Sequence, residues 1–120
     1  MSEAQNPKRR YDLEDRTFLF AQRVRDHVKK LPRTISNIEY GKQLIRASGS
    51  QAANYIETNE SLGKKDFMMK IKICRKESKE SKLWLQLAEP SARDQRENEN
   101  LIKETIELMK IFGSILENSR

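Results

Sequence analysis

The sequence predicts an all-α protein, an antiparallel up-down-up-down four-helix bundle. Three observations carry that expectation. Apolar residues recur at three- and four-residue spacings through four long segments. No segment shows the two-residue alternation of a strand. The breaks fall at Pro32, Gly63 and Pro90, so the connections are short and each helix must turn back on the one before. Composition agrees: 35% charged and 36% hydrophobic residues, with four Gly and three Pro among 120, describe amphipathic helices in a single domain.

Residues 1–11 are polar, carry Lys8, Arg9 and Arg10, and read as a flexible basic arm. The bundle is expected over 12–118. Helix one, 12–31, starts at Asp12 as N-cap, lines one face with Leu13, Thr17, Phe20, Val24, Val28 and Leu31, and stops at Pro32. Helix two, 36–61, opens on Ser36 and Glu39 as an S-x-x-E capping box, with Ile35 and Tyr40 in hydrophobic-staple positions. Its heptad seam is Ile38, Gly41, Ile45, Ser48, Ala52, Tyr55 and Asn59. Helix three, 64–89, takes Gly63 as N-cap and Asp66 as a first-turn anion against the helix dipole. Its seam is Phe67, Ile71, Cys74, Ser78, Ser81, Leu85 and Ala88. Helix four, 93–118, is capped by Ser91 or Asp94 and is apolar at Leu101, Ile102, Met109, Phe112, Ile115 and Leu116.

Helices two and three are small at mid-length, at Gly49, Ala52 and Ala53 on one and Cys74, Ser78 and Ser81 on the other. Small side chains let helix axes approach closely, so these two are expected to form the tightest pair. Leucine at Ala52 or Ser78 should then overpack the contact by ~1–3 kcal/mol. Asn54 and Glu57 sit three apart beside this seam. They are either solvent-exposed or part of a polar cluster at a helix or subunit contact, where an Asn fixes register.

The inventory for chemistry is thin. His27 is the one histidine, expected as an exposed or half-buried structural residue. Glu57/Glu60 and Glu77/Glu80 are carboxylate pairs at i, i+3, but no histidine accompanies either, so the di-iron bundle motif is missing. There is no P-loop and no nucleophile signature. The expectation is a non-enzyme with no catalytic residues, metal, cofactor or small-molecule substrate. The single cysteine, Cys74, lies on a seam as an inert thiol and suggests a reducing compartment. With no apolar signal region and no long apolar run, the expected location is cytoplasmic and away from membranes.

Charge says more. The net charge is +6, and between Leu62 and Ala88 eight basic residues face three acidic ones. Lys72, Arg75, Lys79 and Lys82 follow at 3-4-3 spacing and form one stripe. Like charges at i, i+4 destabilise a helix by ~0.2–0.5 kcal/mol per pair, so an acidic neighbour would help. Helix four (Glu97, Glu99, Glu104, Glu107) is one source, and phosphates are another. Arg9, Arg10, Lys72, Arg75, Lys79 and Lys82 are therefore the candidate nucleic-acid contacts. No aromatic residue interrupts the stripe, and Trp84 lies on another side.

The runs RASGSQAANYIETNESLGKKDF and IKICRKESKESKLWLQL, with YDLEDRTFLFAQRVRDHVKKLP before them, resemble the proteins encoded in intervening sequences of bacterial 23S ribosomal RNA genes. The likeness covers Tyr11 to about Leu87 and centres on Arg46, Ser50, Asn54 and Glu57. It implies a four-helix bundle that assembles into a ring-like homo-oligomer, commonly a pentamer. It also suggests kinship with the basic accessory protein of diversity-generating retroelements, which works with a reverse transcriptase and nucleic acid. The leading expectation is an oligomer that binds RNA or DNA through a repeated basic surface, where weak contacts add by multivalency. The alternative is a scaffold whose charges serve solubility and subunit contacts, including an accessory subunit of a reverse transcriptase.

Overall fold

In the computed structural model four helices follow one another: α1 (Ser2–Lys30), α2 (Ile35–Glu57), α3 (Lys64–Leu87) and α4 (Gln95–Asn118). Short 3₁₀ turns, Thr58–Glu60 and Ala92–Asp94, lie at the two later connections. The structure describes residues 2–119, with side chains from Leu13 onward. The expected basic arm, with Arg9 and Arg10, lies outside the residues whose side chains are described.

Cross-helix bonds show the antiparallel order. Ser78 Oγ donates to Thr105 O at 3.0 Å and Asn98 Nδ2 to Leu85 O at 3.1 Å, between α3 and α4. Ser50 Oγ donates to Glu77 Oε2 at 3.2 Å, and Cys74 Sγ to Gln51 O at 3.5 Å, between α2 and α3. Arg16 meets Glu104 and Arg23 meets Glu97 across α1 and α4. Each helix thus reverses its predecessor, the up-down-up-down arrangement. The most extensive backbone contact is between α2 and α3, and the slightest of the four neighbouring pairs is α1 with α4.

The seams of α1 and α3 are buried at Leu13, Thr17, Phe20, Val24 and Leu31, and at Ile71, Cys74, Ser78, Ser81, Leu85 and Ala88, as the periodicity predicts, while Val28 and Phe67 are half-buried against the core. The α2 seam is buried at Gly41, Ser48, Ala52 and Tyr55, half-buried at Ile38, and corrected at Ile45 and Asn59, which are exposed. Leu44 and Ala47 are fully buried while Ile45 is 46% exposed. Ala53 is exposed, and a Cβ on Gly49 would meet open space. A strict seven-residue repeat drifts around a straight helix, so the buried face is wider than the seam and takes in Leu44, Ala47 and Gln51 on one side of it. Small residues are buried at Ala47, Ser48 and Ala52, and beside them Arg46 and Ser50 both reach Glu77 on α3.

The start of α2 is also corrected. Its N-cap is Thr34, whose Oγ1 accepts from Asn37 N at 3.1 Å, and Ile35 is 87% exposed and staples nothing. The cap moved because Asn37 is drawn into the adjoining loops. Its Nδ2 donates to Pro32 O at 2.9 Å and to Glu89 O at 3.1 Å, and its Oδ1 accepts from Glu89 N at 2.9 Å. One buried amide thereby ties the α1–α2 turn to the end of α3. Gly41 follows on the same helix, where a Cβ would stand 2.9 Å from Val28 Cγ1, so α1 passes close there.

His27 corrects a further expectation, being only 2% exposed. Its Nε2 lies 2.8 Å from Asn98 Oδ1. Asn98 has given its amide hydrogen to Leu85 O, so its oxygen accepts and His27 Nε2 carries the proton.

The start of α3 matches its sequence signal. Gly63 is the N-cap with φ 121°, a conformation open to glycine. Asp66 accepts from Lys70 Nζ at 2.6 Å and Leu62 N at 2.9 Å, and these bonds hold its carboxyl below the usual range. Its stabilising effect is therefore present above the ordinary carboxylate pKa and fades as pH falls through the lowered one. Cys74, fully buried, has its thiol pushed up to about 12 by burial. It should resist iodoacetamide at pH 8 in the folded protein and react within minutes in denaturant, which mass spectrometry reads directly. Rapid labelling of the folded chain would show that α2 and α3 open at mid-length.

Candidate nucleic-acid interface

The four stripe residues occupy one flank of α3. The opposite flank faces α2, where Trp84 stacks on Tyr40 at 6.0 Å and Glu77 and Glu80 both meet Arg46. The stripe flank faces the other way, toward the α4 boundary: a Cβ on Gly113 would stand 4.0 Å from Arg75 Nη1. Lys72, Arg75 and Lys79 are exposed and Lys82 is half-buried. From Lys72 to Lys82 the stripe extends about 15 Å along the helix.

None of these four cations has an ion-pair partner among the described residues. The acidic groups expected to offset them are committed elsewhere. Arg16 donates to Glu104 through Nη2 at 2.8 Å and Nε at 3.1 Å. Arg23 does the same to Glu97, with both bonds at 3.0 Å. The hydrogen bond to Glu97 raises the Arg23 pKa against the burial that lowers it. These two bidentate pairs are seven residues apart on both helices, and they bridge α1 and α4 where the backbones touch least. Glu107 lies 3.8 Å from Lys110, and Glu99 is exposed. Helix four therefore leaves the stripe unmatched, and the like-charge cost of ~0.2–0.5 kcal/mol per pair stands.

The polar group around Asn54 forms on the other face. Asn54 Nδ2 donates to Ser50 O at 2.9 Å and approaches Ser50 Oγ at 3.3 Å, and that hydroxyl donates in turn to Glu77. Arg46 closes the group, with Nη2 3.5 Å from Glu77 and 3.1 Å from Glu80. Arg46, Ser50 and Asn54 thus lie one turn apart along α2 and act together on a nearly buried carboxylate. Glu57, at the end of α2, is exposed and not part of the group.

Sequence reading missed the Arg16–Glu104 and Arg23–Glu97 ladder and the Asn37 knot. The ladder had a signal, since both pairs of partners are heptad-spaced on the first and last helices. Asn37 had none, because its partners are backbone atoms of distant loops. Among the described residues no group of three or more His, Cys, Asp or Glu is placed to hold a metal ion. No helix among them is long and apolar enough to cross a membrane.

The chain is similar to a crystallised protein of unknown function from the S23 ribosomal protein family of Bacteroides thetaiotaomicron. The two share 25% identity and superpose with a TM-score of 0.74, over 90% of this chain and 97% of the other. A search of curated proteins finds no match. Residues 9–114 match the family described as 23S rRNA-intervening sequence protein. With the match spanning all four helices, the chain belongs to the 23S rRNA-intervening sequence protein family.

Proposed function

We propose that the protein is a non-enzymatic helical bundle that self-associates, as a pentameric ring in the form the resemblance implies, and binds nucleic acid through the repeated α3 stripe. The observation that carries this reading is the unmatched line of Lys72, Arg75, Lys79 and Lys82 beside acidic groups bonded elsewhere. Phosphates are the polyanion best suited to such a line, since binding them releases condensed counterions. The family is described by reference to 23S rRNA, which favours RNA as the ligand. Self-association is supported by apolar side chains left open on α1 and α2, namely Phe18, Leu19, Ile45 and Ile56.

Those apolar residues equally favour a second reading, a scaffold whose cations lie in subunit contacts. Charge reversal separates the two. The Lys72→Glu/Lys79→Glu protein should lose binding to a fluorescein-labelled RNA by fluorescence anisotropy while its mass by light scattering stays that of the wild type. In the wild type, log affinity should fall linearly with log salt, by roughly 0.7 per phosphate contact on a single strand. A reversal that splits the oligomer places the stripe in a subunit interface, and unchanged binding removes the nucleic-acid reading.

A further inference from the structure

We infer that α4 supplies a second line of cations and that the groove between α3 and α4 takes a single strand of nucleic acid, an inference that rests on the reading above. Arg96, Lys103 and Lys110 recur every seven residues along α4 and are all exposed. Arg96 and Lys103 have no ion-pair partner among the described residues, and Lys110 has only Glu107 at 3.8 Å. This line exists because α1 draws Glu97 and Glu104 to the far flank of the same helix. An apparently acidic helix thereby presents basic residues outward.

The register of the two helices aligns the lines. The bonds from Ser78 to Thr105 and from Asn98 to Leu85 set Lys79 level with Lys103 and Lys72 level with Lys110, each to within a turn. Between the lines lies the α4 flank toward α3, carrying Ile102, Ile106 and Met109, each half-buried, and Gly113. The groove thus has cationic walls and an aliphatic floor at Ile106 and Met109, with Ile102 packed against the core and the Arg75 guanidinium over Gly113. A duplex presents phosphates but keeps its base faces stacked inside. A single strand offers phosphates to the walls and open base faces to an aliphatic, non-aromatic floor, so both surfaces are engaged together. The acidic residues on this side are Glu99 at one end and Glu117 at the other, with Glu107 held by Lys110.

The test is anisotropy titration of the full chain with three labelled probes of equal length: a single-stranded RNA, its duplex, and an abasic strand. The single strand should bind several-fold tighter than either of the others. Arg96→Ala/Lys103→Ala should reduce the salt slope by about 1.4, two contacts at roughly 0.7 each. Glu99→Lys should strengthen binding and steepen the slope by about 0.7, a gain that a misfolded variant does not give. If Lys72→Ala/Lys79→Ala flattens the slope while the α4 variants leave it unchanged, α3 acts alone, so the groove is overturned and the proposed function stands. Equal affinity for the duplex or the abasic strand also overturns it. If neither pair of substitutions matters, both readings fall.

Discussion

Replacing Asn37 with alanine should lower the unfolding free energy by about 3–5 kcal/mol, three part-buried hydrogen bonds at ~1 kcal/mol each plus the cost of stranded partners. At roughly 4 °C per kcal/mol for a chain of this size, the melting temperature should fall by about 12–20 °C. The loss is large because no other group replaces the amide. Asn37 is 2% exposed and supplies both a donor to Pro32 O and the pair of bonds to the Glu89 backbone. Glu89 lies just past the end of α3, so its N–H and C=O have no helical partners of their own. Alanine favours the helix by a few tenths of a kcal/mol, a small offset. Urea denaturation followed by circular dichroism measures the change. A drop below about 1 kcal/mol would mean that water or a shifted loop satisfies these groups.

Asn98→Leu should cost about 2–6 kcal/mol, because two buried groups lose their partner at ~1–3 kcal/mol each. One is His27 Nε2–H on α1, and the other is Leu85 O in the last turn of α3. In a longer helix Leu85 O would accept from Glu89 N, but that N–H points to Asn37. The two asparagines therefore cap one helix end between them, each from a different neighbouring helix. A double-mutant cycle isolates the His27 bond. His27→Leu/Asn98→Leu should be less destabilised than the sum of the single changes by about 0.5–3 kcal/mol. Strict additivity would mean that the ring and the amide do not share a proton. The His27 ring signals in nuclear magnetic resonance should also shift in Asn98→Leu, since the Nε2–H loses its acceptor.

Much of this bundle is legible from residue order. Four periodic segments, two prolines and a glycine place the helices, and the α1 and α3 seams fall on buried residues. Gly63 and Asp66 mark the start of α3 with local chemistry alone. The candidate interface is half legible. The α3 stripe is evident as spacing, but its availability depends on where the acidic residues of α4 turn. Counting charges along α4 suggests a neutralising partner for α3. The folded chain gives two of those carboxylates to Arg16 and Arg23 instead. The burial of Leu44 in place of Ile45 on α2 has a similar cause. Ile45 and Leu44 are equally apolar, and only the position of α3 and α1 around the helix decides which one is buried.

What the residue order determined by itself is therefore whatever depends on neighbours within a turn or two: helix content, stops, caps of the simple kind, and lines of like residues. The tertiary structure alone decided that Leu44 rather than Ile45 turns inward on α2, which carboxylates meet which guanidinium groups, and that Asn37 and Asn98 close the end of α3. The physical reason is range. Periodicity and capping act over one helical turn, whereas an ion pair or a buried amide chooses among partners that share no sequence neighbourhood until the helices have packed.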